Sequence, residues 1–432
     1  MTSDLQLAQP LTLRCGLTLP NRLAKASLNE KGADNATQLP SEKLLKISSA
    51  WSDGGWGMLM TGAILMDPTH TGKSDVVTSS SPSHVVSEEA QVKSLAAWAD
   101  SYRSKNGYPS APVIIQICHP GRQSMRGEGT RGFWGLPVAP SAIPLNLGDG
   151  LFAKVVRYLL FPAPREITLV EIQEVVREFA FSAKVAAKAG FEGMEIHAAH
   201  GFLLSQFMSA SGNRRTDAYG GSPAKRARII VEVVRAVREA TKDFKNFAVG
   251  IKVNSVDHQE KGELAETIEQ LKLIADAGVD FIEISGGSFE DMSMMASEEN
   301  PSSNQDQRTE RTKAREAFFL EFAKAIRREI PALTLMVTGG FTTRAGMERA
   351  VAQGDCDIVG LGRPSIMHPH LPREIILNPS VKDEDARLFR AQIPIPWLLK
   401  QTRLKVVGAG VDNKFYFEKL QELGGGGPSI KK

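Results

Sequence analysis

Cysteine is scarce: Cys15, Cys118 and Cys356 are the only three in 432 residues. They lie far apart and form no CxxC pair, so a zinc site or an iron–sulfur cluster lacks its ligands, and a reducing compartment fits. Long apolar runs are missing as well. No stretch approaches the roughly 18 uninterrupted apolar residues that span a bilayer, so no membrane partner is expected. Charge of one sign is also missing: 52 basic against 49 acidic residues leave only +3. That is too little for a phosphate-backbone binder unless it is focused on one face, and no nucleic-acid partner is expected. The opening segment "MTSDLQLAQPLTLRCG" has an early acid, no apolar core and no arginine-rich amphipathic pattern. It is not expected to be a secretory or mitochondrial signal, and the expectation is a cytoplasmic protein.

What is present is a repeating order. With 42% hydrophobic residues, the chain is long enough for one large α/β barrel or for two ordinary domains. Short apolar runs recur at 22–27, 56–63, 111–118, 193–199, 247–254, 281–287, 334–340 and 356–363. Segments of helical period follow them, such as "TLVEIQEVVREFAFSAKVAAKAG" (168–190) and "ELAETIEQLKLIADAG" (263–278), both ending in glycine. Strand then helix, eight times over, predicts an α/β fold of the (β/α)8 TIM-barrel type, a single domain with long loops at the C-terminal face of the barrel. The rival, a doubly wound open sheet, more often carries GxGxxG after its first strand, and none follows Ser27.

The barrel is expected over 8–375, with excursions at 121–165 and 288–312, and 376–432 as a C-terminal extension ending in a flexible glycine-rich tail. Both excursions leave from strand C-terminal ends, where barrel enzymes keep their sites. Inside the first, "AKVVRYLLF" reads as a short helix packed on its own domain, with a membrane-surface or partner-binding segment as the alternative.

The strand ends themselves carry polar residues. The last two close with "TGG" (338–340), containing Gly339 and Gly340, and with "GLGRP" (360–364), containing Gly362 and Arg363. Glycines let backbone N–H groups approach an anion, and arginine adds a forked donor, so the pair reads as a phosphate cradle. Lys252 in "GIKVN" and Gln116 in "IIQICHPGR" point to the same end. A planar heterocycle with an imide edge satisfies both, and so does a structural hydrogen-bond network. In "EIHAAHGFLLSQF" (195–207), His197 and His200 fit two donors aimed at one substrate oxygen better than a metal site, and no metal is expected.

These residues resemble the old yellow enzymes, in the NADH:flavin oxidoreductase branch. The specific block is "HAAHGFLLSQFMSASGNRRTDAYGGSPAKRAR" (197–228), supported by "NRLAKAS", "IIQICHPGR", "GIKVN", "TGGF" and "GLGRP" in the same order. The resemblance implies FMN at the barrel mouth, with NADH or NADPH as reductant and a small enone or related activated alkene as substrate. Ser27, Leu28 and Asn29 would line the flavin, Ala63 would lie beside it, and Gln116 and Lys252 would meet its pyrimidine edge. Gly339, Gly340, Gly362 and Arg363 would hold its phosphate. His197 and His200 would bind the substrate carbonyl, as in an ene-reductase. A homo-oligomer is compatible with the family. Three departures stand out. Phe202 occupies the family's usual tyrosine proton-donor position, which opens the alternative of a redox-neutral alkene isomerase or altered flavoenzyme. Asn29 stands where relatives often carry Cys or Thr, and the aromatic and arginine C-terminus of some relatives is not recognisable.

Overall fold

Strands buried on both faces read as nearly unbroken apolar runs, and the eight runs of this chain are such strands. The computed structural model describes residues 4–255 except 73, 109 and 149, then 261–286, 310–388, 393 and 407–425. Its barrel strands are β1 (Leu23–Lys25), β2 (Met58–Leu65), β3 (Val113–Cys118), β4 (Gly193–Ala198), β5 (Ala248–Asn254), β6 (Phe281–Ser285), β7 (Thr334–Thr338) and β8 (Ile358–Leu361). They pair in parallel in that order, and β8 pairs back onto β1 to close the barrel. All eight sequence runs are found in place.

The outer layer contains α1 (Glu42–Ser49), α2 (Glu88–Ser101), α4 (Leu169–Lys188), α6 (Pro223–Ala240), α7 (Lys261–Asp276), α8 (Glu310–Glu329) and α9 (Arg344–Ala352), and α3 (Leu151–Leu160) lies in the first excursion. Short helices α5 (Leu203–Met208) and α10 (Arg363–Met367) follow β4 and β8, and α11 (Val407–Leu423) ends the described chain. Helix α4 shows how local chemistry sets the boundaries. Thr168 and Glu171 form a reciprocal capping box at its start, and Gly190 at φ +85° follows its last turn. Between them Ile172, Val175, Val176, Phe179 and Ala183 are buried at helical spacing.

The N-terminal end of the barrel is plugged. Leu11–Thr12 pairs antiparallel with Thr18–Leu19. Leu13 and Leu19 from this hairpin pack on Met58, Ile114, Phe281 and Met336 inside the barrel. Glycine at position 250 makes room for the Phe281 ring, since a Cβ there would lie 2.1 Å from it. Polar side chains are therefore left to the opposite end.

The first excursion has structure of its own. Val138–Ala139 pairs with Arg165–Glu166, and Ala153 of α3, with Phe161 just after the helix, packs against Leu145 and Leu147. The second excursion lies outside the described residues up to 309, and its last positions open α8; the glycine-rich tail also lies outside from 426 onward. Helix α11 returns to the barrel, contacting α1 and α10, with Tyr416 and Leu420 in the main core. Among the described residues, no helix is long and apolar enough to cross a membrane.

Candidate active site

Alternation along the strands turns every second residue inward, and register then decides which inward residues become neighbours. Gln116 on β3 is opposite Glu195 on β4, His197 on β4 is opposite Lys252 on β5, and Lys252 is opposite Glu283 on β6. Hydrogen bonds follow this order. Ser27 Oγ donates to Gln116 Oε1 at 2.8 Å, Gln116 Nε2 donates to Glu195 Oε2 at 2.5 Å, and Lys252 Nζ donates to Glu283 Oε1 at 2.8 Å. Burial, reinforced by the Glu283 charge, pushes the Glu195 carboxyl well above the ordinary range. Burial resists the Glu283 charge as well, but the Lys252 ammonium together with hydrogen bonds from Glu195, Lys252 and Thr338 holds that carboxyl low. Glu195 thus keeps its proton. The two remaining oxygens, Glu195 Oε1 and Glu283 Oε2, are both buried; that proton joins them, and the Thr338 hydroxyl further favours the Glu283 charge.

The histidines stand one layer higher. Their rings are 5.0 Å apart at 74°, and Phe202 meets His197 edge-on at 4.7 Å. His197 Nδ1 accepts the Ala199 N–H at 3.2 Å, which assigns the ring proton to Nε2. His200 sits in the left-handed region at φ +57°. Its N–H donates to Asn254 Oδ1 at 2.7 Å, its carbonyl accepts from Gln123 Nε2 at 2.7 Å, and its Nε2 is 3.1 Å from Ser285 Oγ. Burial lowers both imidazoles, with His200 and Lys252 adding repulsion at His197, and Lys252 bringing His200 down to about 3. Both are neutral, and His197 presents an Nε2–H.

At the other end, β7 and β8 finish in glycines. Gly339 and Gly340 have φ of +117° and +81°, conformations an L side chain resists. One cavity of about 200 Å³ brings together Ser27, Leu28, His200 and Lys252 with Gly339, Gly340, Gly362 and Arg363. Arg363 pairs with Asp412 on α11 at 3.4 Å and lies 5.7 Å from the Tyr416 ring. Gln116 reaches this group through Ser27, and His197 through His200.

Not every expected residue joins the cavity. Asn29 and Ala63 line a separate shallow recess with Glu30 and Gly62. There Glu30 forms a buried ion pair with Lys25 and accepts the Gly62 N–H at 2.6 Å. Phe202 packs with Ala63 on Leu65, Val77 and Cys118. Tyr158 on α3 is 74% exposed and lies outside the cavity. Sequence reasoning passed over Glu195, Glu283, Asn254, Ser285 and Asp412. For the first four a signal existed: each is a polar residue at an inward position of an otherwise apolar strand. For Asp412, 49 positions from its partner, there was none.

A second polar group, Asp67, His70 and His119, lies within metal-ligating distance. Its hydrogen bonds speak against an ion. His70 Nε2 accepts the Val138 N–H and His119 Nδ1 accepts the Gly121 N–H. Each ring therefore turns its proton toward Asp67 Oδ2, at 2.7 and 3.1 Å. A metal in that space would need both rings fully deprotonated.

Residues 6–378 match the sequence model of the NADH:flavin oxidoreductase / NADH oxidase family. The NADH-dependent flavin oxidoreductase iliE of Neonectria sp. is 45% identical over 424 residues, 96% of this chain, which spans about half, 54%, of that protein's length. The NADH-dependent flavin oxidoreductase iccE of Talaromyces variabilis is 43% identical over 423 residues, covering 98% of this chain and 99% of its own. In fold, the old yellow enzyme homologue from Zymomonas mobilis superposes with a TM-score of 0.66 at 20% identity, over 88% of this chain and 94% of the other.

Proposed function

The chain belongs to the NADH:flavin oxidoreductase / NADH oxidase family of old yellow enzyme type, whose cofactor is FMN, and from that premise we propose an NADH-dependent reductase of α,β-unsaturated carbonyl compounds. The observation that carries this reading is the pair of neutral histidines 5.0 Å apart, of which His200 lines a cavity that also holds Arg363 and two positive-φ glycines. The donor set fits FMN: a guanidinium and close-approach glycines suit its phosphate, while Gln116 and Lys252 suit an imide edge. When bound, FMN supplies the hydride exchange between nicotinamide and substrate.

The chain's own residues then have separate tasks. His197 Nε2–H is aimed as a donor to the substrate oxygen, and His200 joins it by exchanging its Ser285 contact for the same oxygen. Two neutral donors stabilise the negative charge that develops on that oxygen as hydride reaches the β-carbon. Lys252, held by Glu283, keeps a positive charge beneath the site. NADH as reductant is supported by the names of the Neonectria and Talaromyces relatives.

Phe202 favours a second reading. It offers no O–H, and it packs on Leu65, Val77 and Cys118 with its ring edge-on to His197. An enolate formed without a nearby acid lives long enough for bond rotation and hydride return, which is alkene isomerisation.

The test is anaerobic mixing of the FMN-loaded chain with NADH and NADPH in turn, then with cyclohexenone. Bleaching by NADH and return of the flavin band with saturated ketone as product is the expected result. No bleaching with either nucleotide would overturn the redox reading, and bleaching without saturated product would overturn the reductase reading; an acyclic Z-enone returned as its E isomer without net oxidation of NADH would favour the second.

A further inference from the structure

The first excursion turns an apolar face to solvent. While Ala153 and Phe161 hold α3 to the protein, Leu151 and Tyr158 on its other side are 80% and 74% exposed, with Val155 and Leu159 exposed beside them. Trp134, 80% exposed, and Phe133 extend the face. Arg126 binds the two parts into one surface: its guanidinium lies 5.5 Å from the Phe133 ring and 5.6 Å from the Trp134 ring, and donates to the Tyr158 and Leu159 carbonyls at 3.2 Å. Scattered exposed hydrophobic residues are ordinary on a protein surface, but a contiguous aromatic and aliphatic face is not.

The charge of the excursion is one-sided. Residues 121–165 hold six basic side chains, Arg122, Arg126, Arg131, Lys154, Arg157 and Arg165, against two acids, Glu128 and Asp149. Arg165 is paired with Glu171 and Arg122 is buried, so the basic side chains left to meet an anionic surface are Arg126, Arg131, Lys154 and Arg157, a local excess of the kind that lets a protein of small net charge attract one. Helix α3 itself carries Lys154 and Arg157 and no acid.

We propose that this face docks the protein on an anionic lipid bilayer, with the α3 stripe and Trp134 entering the headgroup boundary and the cations meeting lipid phosphates and carboxylates. Aliphatic residues flanked by Trp, Tyr, Lys and Arg are the composition of interfacial helices. A second copy fits less well, because a two-fold interface centred on α3 would oppose Lys154 and Arg157 to their own images without an acid on that helix. The placement has a consequence for access. The excursion leaves the C-terminal end of β3, and Gln123 within it holds the His200 carbonyl at 2.7 Å, so the docked face lies on the same end of the barrel as the histidines.

The experiment is co-sedimentation of the FMN-loaded full chain with vesicles of phosphatidylcholine alone and of phosphatidylcholine mixed with phosphatidylserine, at low and high salt. Binding to the mixed vesicles, weakened by salt, is expected. The double variant Trp134→Ser, Leu159→Ser should lower it by about 10-fold or more while keeping the flavin spectrum and thermal transition. Lys154→Glu should weaken binding to the mixed vesicles only. Absence of vesicle binding, equal binding to both lipid mixtures, or unchanged binding of the double variant would overturn the proposal. So would a dimer in sedimentation velocity that the double variant dissolves while vesicle binding is absent, which would assign the face to a second copy.

Discussion

Replacing Glu195 by glutamine tests the protonation of the barrel interior without touching the cofactor. The glutamine keeps both bonds of the protonated acid: its Oε1 accepts from Gln116 Nε2, and its amide donates to Glu283 where the acid's proton did. At low pH the cost is expected to be under about 1 kcal/mol, one hydrogen bond exchanged for another. The pH dependence is the sharper quantity. A glutamate whose folded pKa is raised contributes stability that is fully present below its ordinary value of 4.5 and is lost as pH rises through the folded value. In that window the wild type loses stability relative to Glu195→Gln by about 1.4 kcal/mol per pH unit, the linkage slope for one proton. Glu283→Gln should behave oppositely, because it leaves the Lys252 ammonium, 4% exposed, without its counter-charge and costs about 3 kcal/mol or more. Urea unfolding of the three apoproteins at a series of pH values reads both effects. Parallel stability profiles for wild type and Glu195→Gln, or equal losses in both variants, would refute the assignment of the proton to Glu195.

Three further outcomes follow from the site. Phe202→Tyr should raise the rate of saturated-product formation under steady NADH supply by about 10²-fold or more, the usual worth of a positioned general acid, and an unchanged rate would sink the missing-donor argument. Arg363→Ala should weaken FMN binding by about 10- to 100-fold, the loss of a charge-assisted hydrogen bond, as read by the recovery of free-flavin fluorescence on dilution. With His200 lowered to about 3 and His197 lower than usual, neither imidazole gains a proton between about pH 5 and pH 8. The kcat/KM profile for enone reduction should show no histidine ionisation across that interval, and a bell centred near pH 6.5 would contradict the neutral-donor assignment.

The barrel was legible because its strands are apolar runs bounded by helical period, and closure requires only that the order repeat. The mouth was legible in part. Gly339, Gly340, Gly362, Arg363, Lys252 and His200 lie at strand ends, so knowing the strands fixes their shared end, and one cavity gathers them. Asn29 and Ala63 were expected at the flavin but line the recess built around the Lys25–Glu30 pair, which the local sequence does not announce. Glu195 and Glu283 escaped notice because their meaning depends on register: Lys252 stands opposite Glu283, and only a three-dimensional pairing makes one acid charged and its neighbour neutral. Helix α3 packs on its own domain as read, yet amphipathic spacing alone did not tell which of its two faces would be covered.

The way β1 and α11 are fastened has a bearing on biosynthesis. Strand β1 is completed by β8, more than 300 residues later, and Glu30, just beyond β1, receives its carbonyl's hydrogen bond from Gln421 near the end of the described chain. A nascent chain emerging from the ribosome therefore holds an open sheet with two unpaired edges for most of its synthesis. Contacts of such sequence separation close slowly, and an unpaired parallel edge is a template for aggregation while they do. Truncation before α11 would remove Asp412 and Tyr416 from Arg363 as well as the cover of α1. Arg363 thus gains its Asp412 and Tyr416 contacts only after α11 has been released.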